Sequence, residues 1–374
     1  MKENMFGSNS ANIKIPFTDL YAQYREAKCD IDNAISNVLE TSSFITGPLV
    51  DRFETEMIEY TGAEACASVG SGTNALICSL RAAIKPGDEV ITTSHTFVST
   101  TESIVLAGGV PVFVDIGDYY HIDIKSIESA ITKKTRAILF VDLYGQTPDI
   151  DALKQLAEKH DLILIEDAAQ SFGSSYKGKR VGSLVDLTCF SFNPVKNLGA
   201  IGDAGMVTGR KDLIDRVKMY RDHGRSSRYQ YDEVGYNMRI DNIQAMVVLE
   251  KLKYLKNWTE QKQAICRTYS EQLAETVQIP IENKDSDHTY YVYVIRTTNR
   301  DQLQQYLQQK GIQTNIHYRN PTHRTPAYEK YVTTPLRMTE EVCDGILSLP
   351  CYHTLTEANQ KYIIDSIKEF YGRH

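Results

Sequence analysis

The sequence predicts an α/β fold in which a mainly parallel sheet is covered by helices and followed by a smaller α+β unit. Short β-branched runs recur between residues 90 and 192 with helix-length stretches between them, the pattern of strands buried on both faces. After a long helical stretch near residue 241 the pattern changes to strand, helix, strand. The total of 374 residues is more than one core comfortably holds. The expected division is a loose leader at 1–12, a large domain at 13–255 and a small C-terminal domain at 256–374.

Taken in order, residues 1–12 (MKENMFGSNSAN) are polar and rich in Gly, Ser and Asn, as expected of a leader with nothing to bury. Residues 20–60 read as helix interrupted at 46–48. The strand candidates are VITTS near 90, VPVFVDI (110–116), RAILFVDLYG (136–145), LILIED (162–167) and LTCFSF (187–192). Residues 241–275 form a long helical pattern with Leu249, Leu252 and Leu255 at helical spacing. Beyond it YYVYVIRT (290–297), DQLQQYLQQKG (301–311) and IQTNIHY (312–318) give strand, helix and strand, and Pro321 and Pro326 bracket an irregular loop facing the cleft between domains.

Composition narrows the function. Lysine and arginine total 41 against 48 acidic residues, so the net charge is 41 − 48 = −7 without long blocks of one sign. A nucleic-acid partner is not expected, since phosphate-backbone binding needs a concentrated basic face. No run approaches the ~20 apolar residues that span a bilayer, and the N-terminus lacks the pattern of a signal peptide, so no membrane partner and a cytoplasmic location are expected. The seven cysteines are scattered and never spaced C-x-x-C, which argues against a disulfide framework and a structural zinc site. No metal is expected.

Three motifs carry chemistry. In GSGTNAL (70–76), glycines allow close backbone approach to an anion, Thr73 offers a hydroxyl, and the helix that follows points free amides and its positive dipole end at the same place. An ordinary Gly-rich strand-to-helix turn has the same letters. In LILIEDAAQSFG a buried strand ends at Asp167, with Gln170 three residues on; a carboxylate there faces the ligand crevice of an open α/β sheet and can keep a ring nitrogen protonated. The bland alternative is an Asp that caps the next helix. In FSFNPVKNLGAIGDAG, Lys196 lies among Phe192, Pro194, Val195 and Leu198, surroundings that lower an amine's pKa by desolvation and make it a nucleophile toward an aldehyde. Most lysines are instead surface residues.

The order of these motifs, anion cradle, strand-end Asp with Gln at plus three, then S-F-x-x-x-K, resembles the fold type I pyridoxal-phosphate enzymes. More narrowly it resembles the nucleotide-sugar aminotransferases of the DegT/DnrJ/EryC1/StrS family, from IPFTDLYAQY (15–24) and SSFITGP through GYNMRIDNIQA (235–245) to IHYRNPTHRTPAY (316–328). The resemblance implies a seven-stranded sheet in a large cofactor-binding domain. It implies that Lys196 holds pyridoxal 5'-phosphate as a Schiff base and serves with Asp167 in catalysis, Asp167 pairing with the pyridine nitrogen. Gln170 would sit near the phenolic oxygen, Gly72, Thr73 and Ser191 at the phosphate, and Phe97 on the ring face. Asn237 would reach the phosphate of a neighbouring subunit in a homodimer with shared sites. Tyr318 and His323 would line the sugar pocket, with Arg239 assisting there or binding a backbone carbonyl.

The chain departs from the common family pattern at Gly202-Asp203-Ala204-Gly205, where Gly-Glu-Gly-Gly is usual, and at Tyr291, where histidine is frequent. The activity implied is transfer of an amino group from L-glutamate to a nucleotide-linked keto-sugar. The favoured acceptor is a dTDP-3-oxo-6-deoxyhexose, converted to the dTDP-3-amino-3,6-dideoxyhexose. A C-4 sugar aminotransferase or a keto-cyclitol aminotransferase would show the same cofactor residues, and a cofactor-binding regulator without turnover is a further alternative.

Overall fold

The computed structural model describes residues 14–372; the leader expected at 1–12 lies outside the described residues. Seven strands form one sheet: β1 (Ala65–Val69), β2 (Glu89–Thr93), β3 (Val110–Val114), β4 (Thr135–Val141), β5 (Ile163–Asp167), β6 (Leu187–Ser191) and β7 (Gly205–Gly209). Their order is β1-β7-β6-β5-β4-β2-β3. The pairs β2·β3, β2·β4, β4·β5 and β5·β6 are parallel, and only β7 runs against both its neighbours, β1 and β6. All the strands except β7 therefore end at one edge of the sheet, where open α/β sheets bind ligands.

Alternation along the strands builds two cores. In β4, Ile138 and Phe140 enter one core with Phe53, Leu153 and Leu249, whereas Ala137 and Leu139 enter the other with Leu80, Ile104 and Val217. One face is thus covered by α3 (Pro48–Thr61), α7 (Ile150–His160) and α9 (Asn242–Leu273), the other by α4 (Gly72–Ala83), α5 (Val98–Leu106) and α8 (Lys211–Arg221). The helices start and stop where the letters direct. Pro48 occupies the first turn of α3, where its missing amide costs nothing, and Gly62 ends it at φ 72°.

All five strand candidates of the sheet form, but β1 and β7 gave no pattern in the sequence. Their letters, ACASV and GMVTG, are small. Packing explains β7: a Cβ added at Gly205 would stand 2.5 Å from the Ser71 carbonyl oxygen, and one at Gly209 would stand 2.1 Å from that of Asp186.

A further core joins Tyr269 and Leu273 at the end of α9 to Leu303 and Leu307 of α10 (Arg300–Gln309) and Ile363 and Ile367 of α12 (Glu357–Gly372). Its two-stranded sheet pairs β8 (Tyr293–Arg296) antiparallel with β9 (Ile346–Leu349), at the end of α11 (Arg337–Gly345). The strand expected at 312–318 does not form. Ile312 makes one isolated bridge to Ile15 and Asn315 one to Ser348, so the partner of β8 comes from further along the chain. No described helix is long and apolar enough to cross a membrane.

Candidate active site

The ends of β1, β5 and β6 converge on a cavity of about 590 Å³. Lys196, Asp167, Gln170, Gly72, Thr73, Ser191, Phe97 and Tyr318, singled out in the sequence, all line it. Four of the segments that bear them follow β1, β2, β5 and β6 at one edge of the sheet, and Tyr318 comes from the C-terminal part of the chain.

The cradle at the start of α4 is tight. A Cβ at Gly72 would stand 2.6 Å from the Ser191 Cβ, so only glycine lets the helix start press against the end of β6. Ser71 caps the helix by accepting from the amide of Asn74 at 3.1 Å, and the first-turn amides are left for an anion. Thr73 Oγ1 and Ser99 Oγ, 2.8 Å apart, add hydroxyl donors.

Asp167 closes β5 with only 5% of its surface exposed. One carboxylate oxygen accepts from Thr100 Oγ1 at 2.7 Å and the other from the Ala169 amide at 3.2 Å. Burial pushes its pKa up, while those donors and the Lys196 charge pull it back toward the ionised form. It is placed to face a cation across the cavity rather than to cap a long helix, since no α-helix begins directly after it.

Lys196 lies on the loop after β6, with Nζ 4.4 Å from the centre of the Tyr291 ring. Burial lowers its pKa to about 8, against the opposing pull of Asp167. The neutral, nucleophilic amine is therefore far more populated near neutral pH than in an ordinary lysine. Tyr291, where the resemblance leads one to expect histidine, supplies the aromatic wall. Asp203, the other departure, also lines the cavity and accepts from Asn193 Nδ2 at 3.1 Å.

Gln170 is fixed at both ends of its amide: Oε1 accepts from the Tyr144 amide at 2.7 Å and Nε2 donates to the Tyr318 hydroxyl at 2.9 Å. Phe97 is half exposed, with its ring 5.8 Å from that of Tyr318. An anion cradle at one end, a buried carboxylate at the other and a depressed amine beside an aromatic slot fit pyridoxal phosphate, an anionic group on a ring whose nitrogen is cationic.

Three residues singled out in the sequence stand elsewhere in this chain. His323 is buried outside the cavity lining, with Nδ1 2.6 Å from Ser94 Oγ and Nε2 3.2 Å from Glu340 Oε1. Arg239 pairs with Asp222 at 3.2 Å and donates to Asn237 Oδ1 at 3.2 Å, so these two sit together beside α8. Thr100, His317 and Asn197 were not picked out by the sequence. Thr100 orients Asp167, His317 lines the cavity, and Asn197 follows Lys196 and donates to Thr289 Oγ1 at 2.9 Å. Their signal is contact between distant segments, which letters alone do not carry.

The DegT/DnrJ/EryC1/StrS aminotransferase family matches residues 26–368. A Geobacillus stearothermophilus protein named pleiotropic regulatory protein is 39% identical over 97% of this chain and 100% of its own. The dTDP-3-amino-3,4,6-trideoxy-alpha-D-glucose transaminase of Streptomyces venezuelae is 37% identical over 98% of each chain. The crystal structure of S. venezuelae DesV in complex with a ketimine intermediate superposes with a TM-score of 0.94 at 37% identity, covering 96% of this chain and 99% of that one.

Proposed function

We propose, from the premise that the chain belongs to the DegT/DnrJ/EryC1/StrS aminotransferase family, that it moves an amino group from L-glutamate to a keto carbon of a nucleotide-linked sugar. The chain is a transaminase whose cofactor is pyridoxal 5'-phosphate. The acceptor favoured is a dTDP-linked 3-oxo-6-deoxyhexose, which becomes the 3-amino-3,6-dideoxyhexose; the similar transaminase of S. venezuelae is named for a dTDP-linked 3-amino sugar. The observation that carries the reading is the amine of Lys196, lowered by burial to about 8 and placed between an aromatic face and a buried carboxylate.

When bound, pyridoxal phosphate supplies an aldehyde to take up the amino group and a protonated ring to accept electrons. The rest is the protein's work. Lys196 Nζ would hold the cofactor through its aldehyde carbon and, when free, would act as the base that takes the proton from the donor's α-carbon and gives it up again as an acid. Asp167 would hold the proton on the ring nitrogen; it needs to be ionised for this, and its Thr100 and Ala169 donors favour that form. Gly72, Thr73 and Ser191 would hold the phosphate, Phe97 would cover the ring face, and Gln170, fixed by Tyr144 and Tyr318, would serve the phenolic oxygen.

Asn237, with Arg239 holding its side chain, completes the phosphate site of a second copy, which makes the working form a homodimer with shared sites. Tyr318 contacts the sugar, and His323 shapes that pocket through Ser94 at the base of the loop bearing Phe97. The cofactor-binding domain is taken as 13–255, the smaller domain as 256–374, and the location as the cytoplasm.

Borohydride reduction of the holoenzyme followed by peptide mass mapping tests the central assignment: the pyridoxyl mass is expected on Lys196, and an unmodified Lys196 overturns it. Product masses from dTDP-, UDP- and GDP-linked keto-sugars then identify the acceptor. A regulatory role is favoured only by the names of two relatives, a pleiotropic regulatory protein and a sensory transduction protein. In the transaminase, added glutamate shifts the visible band of the cofactor, and in a pure regulator it does not.

A further inference from the structure

A second lobe of about 150 Å³ adjoins Lys196 and shares Val195, Lys196, Tyr291, Asn315 and His317 with the cofactor cavity. Its outer wall is the segment from Phe17 to Gln23, its floor the middle of α9. Among the described residues, the only lysines or arginines lining either lobe are Lys196 and Lys262.

Lys262 is an unusual buried amine. Its Nζ donates to Asn197 Oδ1 at 3.0 Å, and no described carboxylate forms an ion pair with it. Burial lowers its pKa, and the only groups opposing that are the thiols of Cys351 and Cys266. An ammonium taken out of water without a counter-charge is costly, and among the described residues two of its three N–H donors are unspent. The one carboxylate lining the lobe, Asp19, is committed to α1 (Leu20–Glu26), accepting from the Ala22 amide at 2.9 Å. Asn197, which Lys262 grips, follows Lys196 directly and donates to the Gln170 carbonyl at 3.3 Å, and Lys196 and Lys262 line the same lobe.

An amino donor must bring its nitrogen to the place held by Lys196 Nζ while its carboxylates find cations. Asp167 already engages the field of Lys196, and among the described residues the cofactor cavity offers no other lysine or arginine. We infer that the lobe beside Lys196 is the donor subsite and that Lys262 receives a carboxylate of a dicarboxylic amino acid. This rests on the transaminase reading above and adds to it the residue that selects the donor.

The test uses holoenzyme with glutarate and butyrate as non-reacting probes, bound calorimetrically, and L-glutamate and L-alanine as donors in single-turnover half-reactions. In the unmodified enzyme glutarate binds at least about tenfold more tightly than butyrate, the scale of one charge-assisted hydrogen bond. Lys262→Met weakens glutarate binding and raises the glutamate KM by about ten- to a hundredfold, leaving butyrate, L-alanine and the keto-sugar KM unchanged. Lys262→Arg retains most of the preference.

Equal affinity for the two probes in the unmodified enzyme overturns the inference whether or not the variants fold. So does a Lys262→Met enzyme that slows both half-reactions equally with glutarate affinity intact, because Lys262 is then a post for Asn197. If glutarate prefers the enzyme through Lys262 while glutamate drives no half-reaction, the lobe stands and the glutamate assignment of the preceding section fails.

Discussion

Lys196 and Lys251 are two buried lysines lowered to about 8 by the same cause, desolvation, yet one faces chemistry and the other does not. Lys196 sits on a loop and opens into the cavity, with Asp167 in its field and a tyrosine ring beside it. Lys251 lies inside α9, 5% exposed, and donates to the Gly199 carbonyl three residues beyond Lys196. A depressed amine is therefore not itself a catalytic group. Space for a ring and a carboxylate on its far side make the difference, and Lys251 uses its amine to hold the loop that carries the other.

The comparison breaks most sharply at Lys196. Lys196→Ala is expected to cut turnover by at least ~10³-fold, losing nucleophile and base together, while pyridoxal phosphate still binds noncovalently. Single-turnover absorbance with glutamate measures the loss, and turnover near the wild-type rate would contradict the role. Asp167→Asn keeps the shape and removes the charge, and is expected to lower kcat/KM by ~10²–10³-fold, the range for removing one preorganised electrostatic partner. Steady-state kinetics with the best keto-sugar acceptor test it.

The next effect is on pH. A lowered pKa means the proton leaves earlier, so capture of added pyridoxal phosphate by the apoenzyme rises about tenfold per unit up to pH about 8 and then flattens. An ordinary lysine would keep climbing toward its usual value of 10.5. Initial rates of the absorbance change between pH 6 and 10 decide between these.

Lys251→Met has the least effect on chemistry. Borohydride labelling of Lys196 persists, and the change falls on stability, where the unpaired Gly199 carbonyl costs about 1–3 kcal/mol. The sign with pH follows from the lowered value: between about 8 and 10.5 the unfolded chain binds the proton that the folded chain has released, so folding gains as pH rises. The wild-type advantage over Lys251→Met in urea titrations grows across that window, and a flat difference would mean that the amine is not desolvated.

The sheet was legible wherever strands are buried on both faces, because β2 to β6 are near-continuous apolar runs. It was illegible at β1 and β7, where close approach demands small residues, and at 312–318, where apolar letters make only single bridges. In the site, Lys196, Asp167 and Gly72 could be found because each sits in a local motif. Lys262 and Thr100 could not: Lys262 reaches Asn197 across 65 residues and Thr100 reaches Asp167 across 67, and no short-range pattern marks either contact. His323 and Arg239 matched a pattern, but their side chains are occupied by Glu340 and Asp222.

The 32-residue α9 runs roughly 48 Å at 1.5 Å per residue, contributing Met246 and Leu249 to a sheet core and Tyr269 and Leu273 to the C-terminal core. Melting either core frays a rod the other depends on, so heat or urea meets a single cooperative unit instead of two independent ones. The chain's one tryptophan, Trp258, is buried midway along that rod, stacked between Tyr254 and His353. Its fluorescence thus reports the loss of both halves at once.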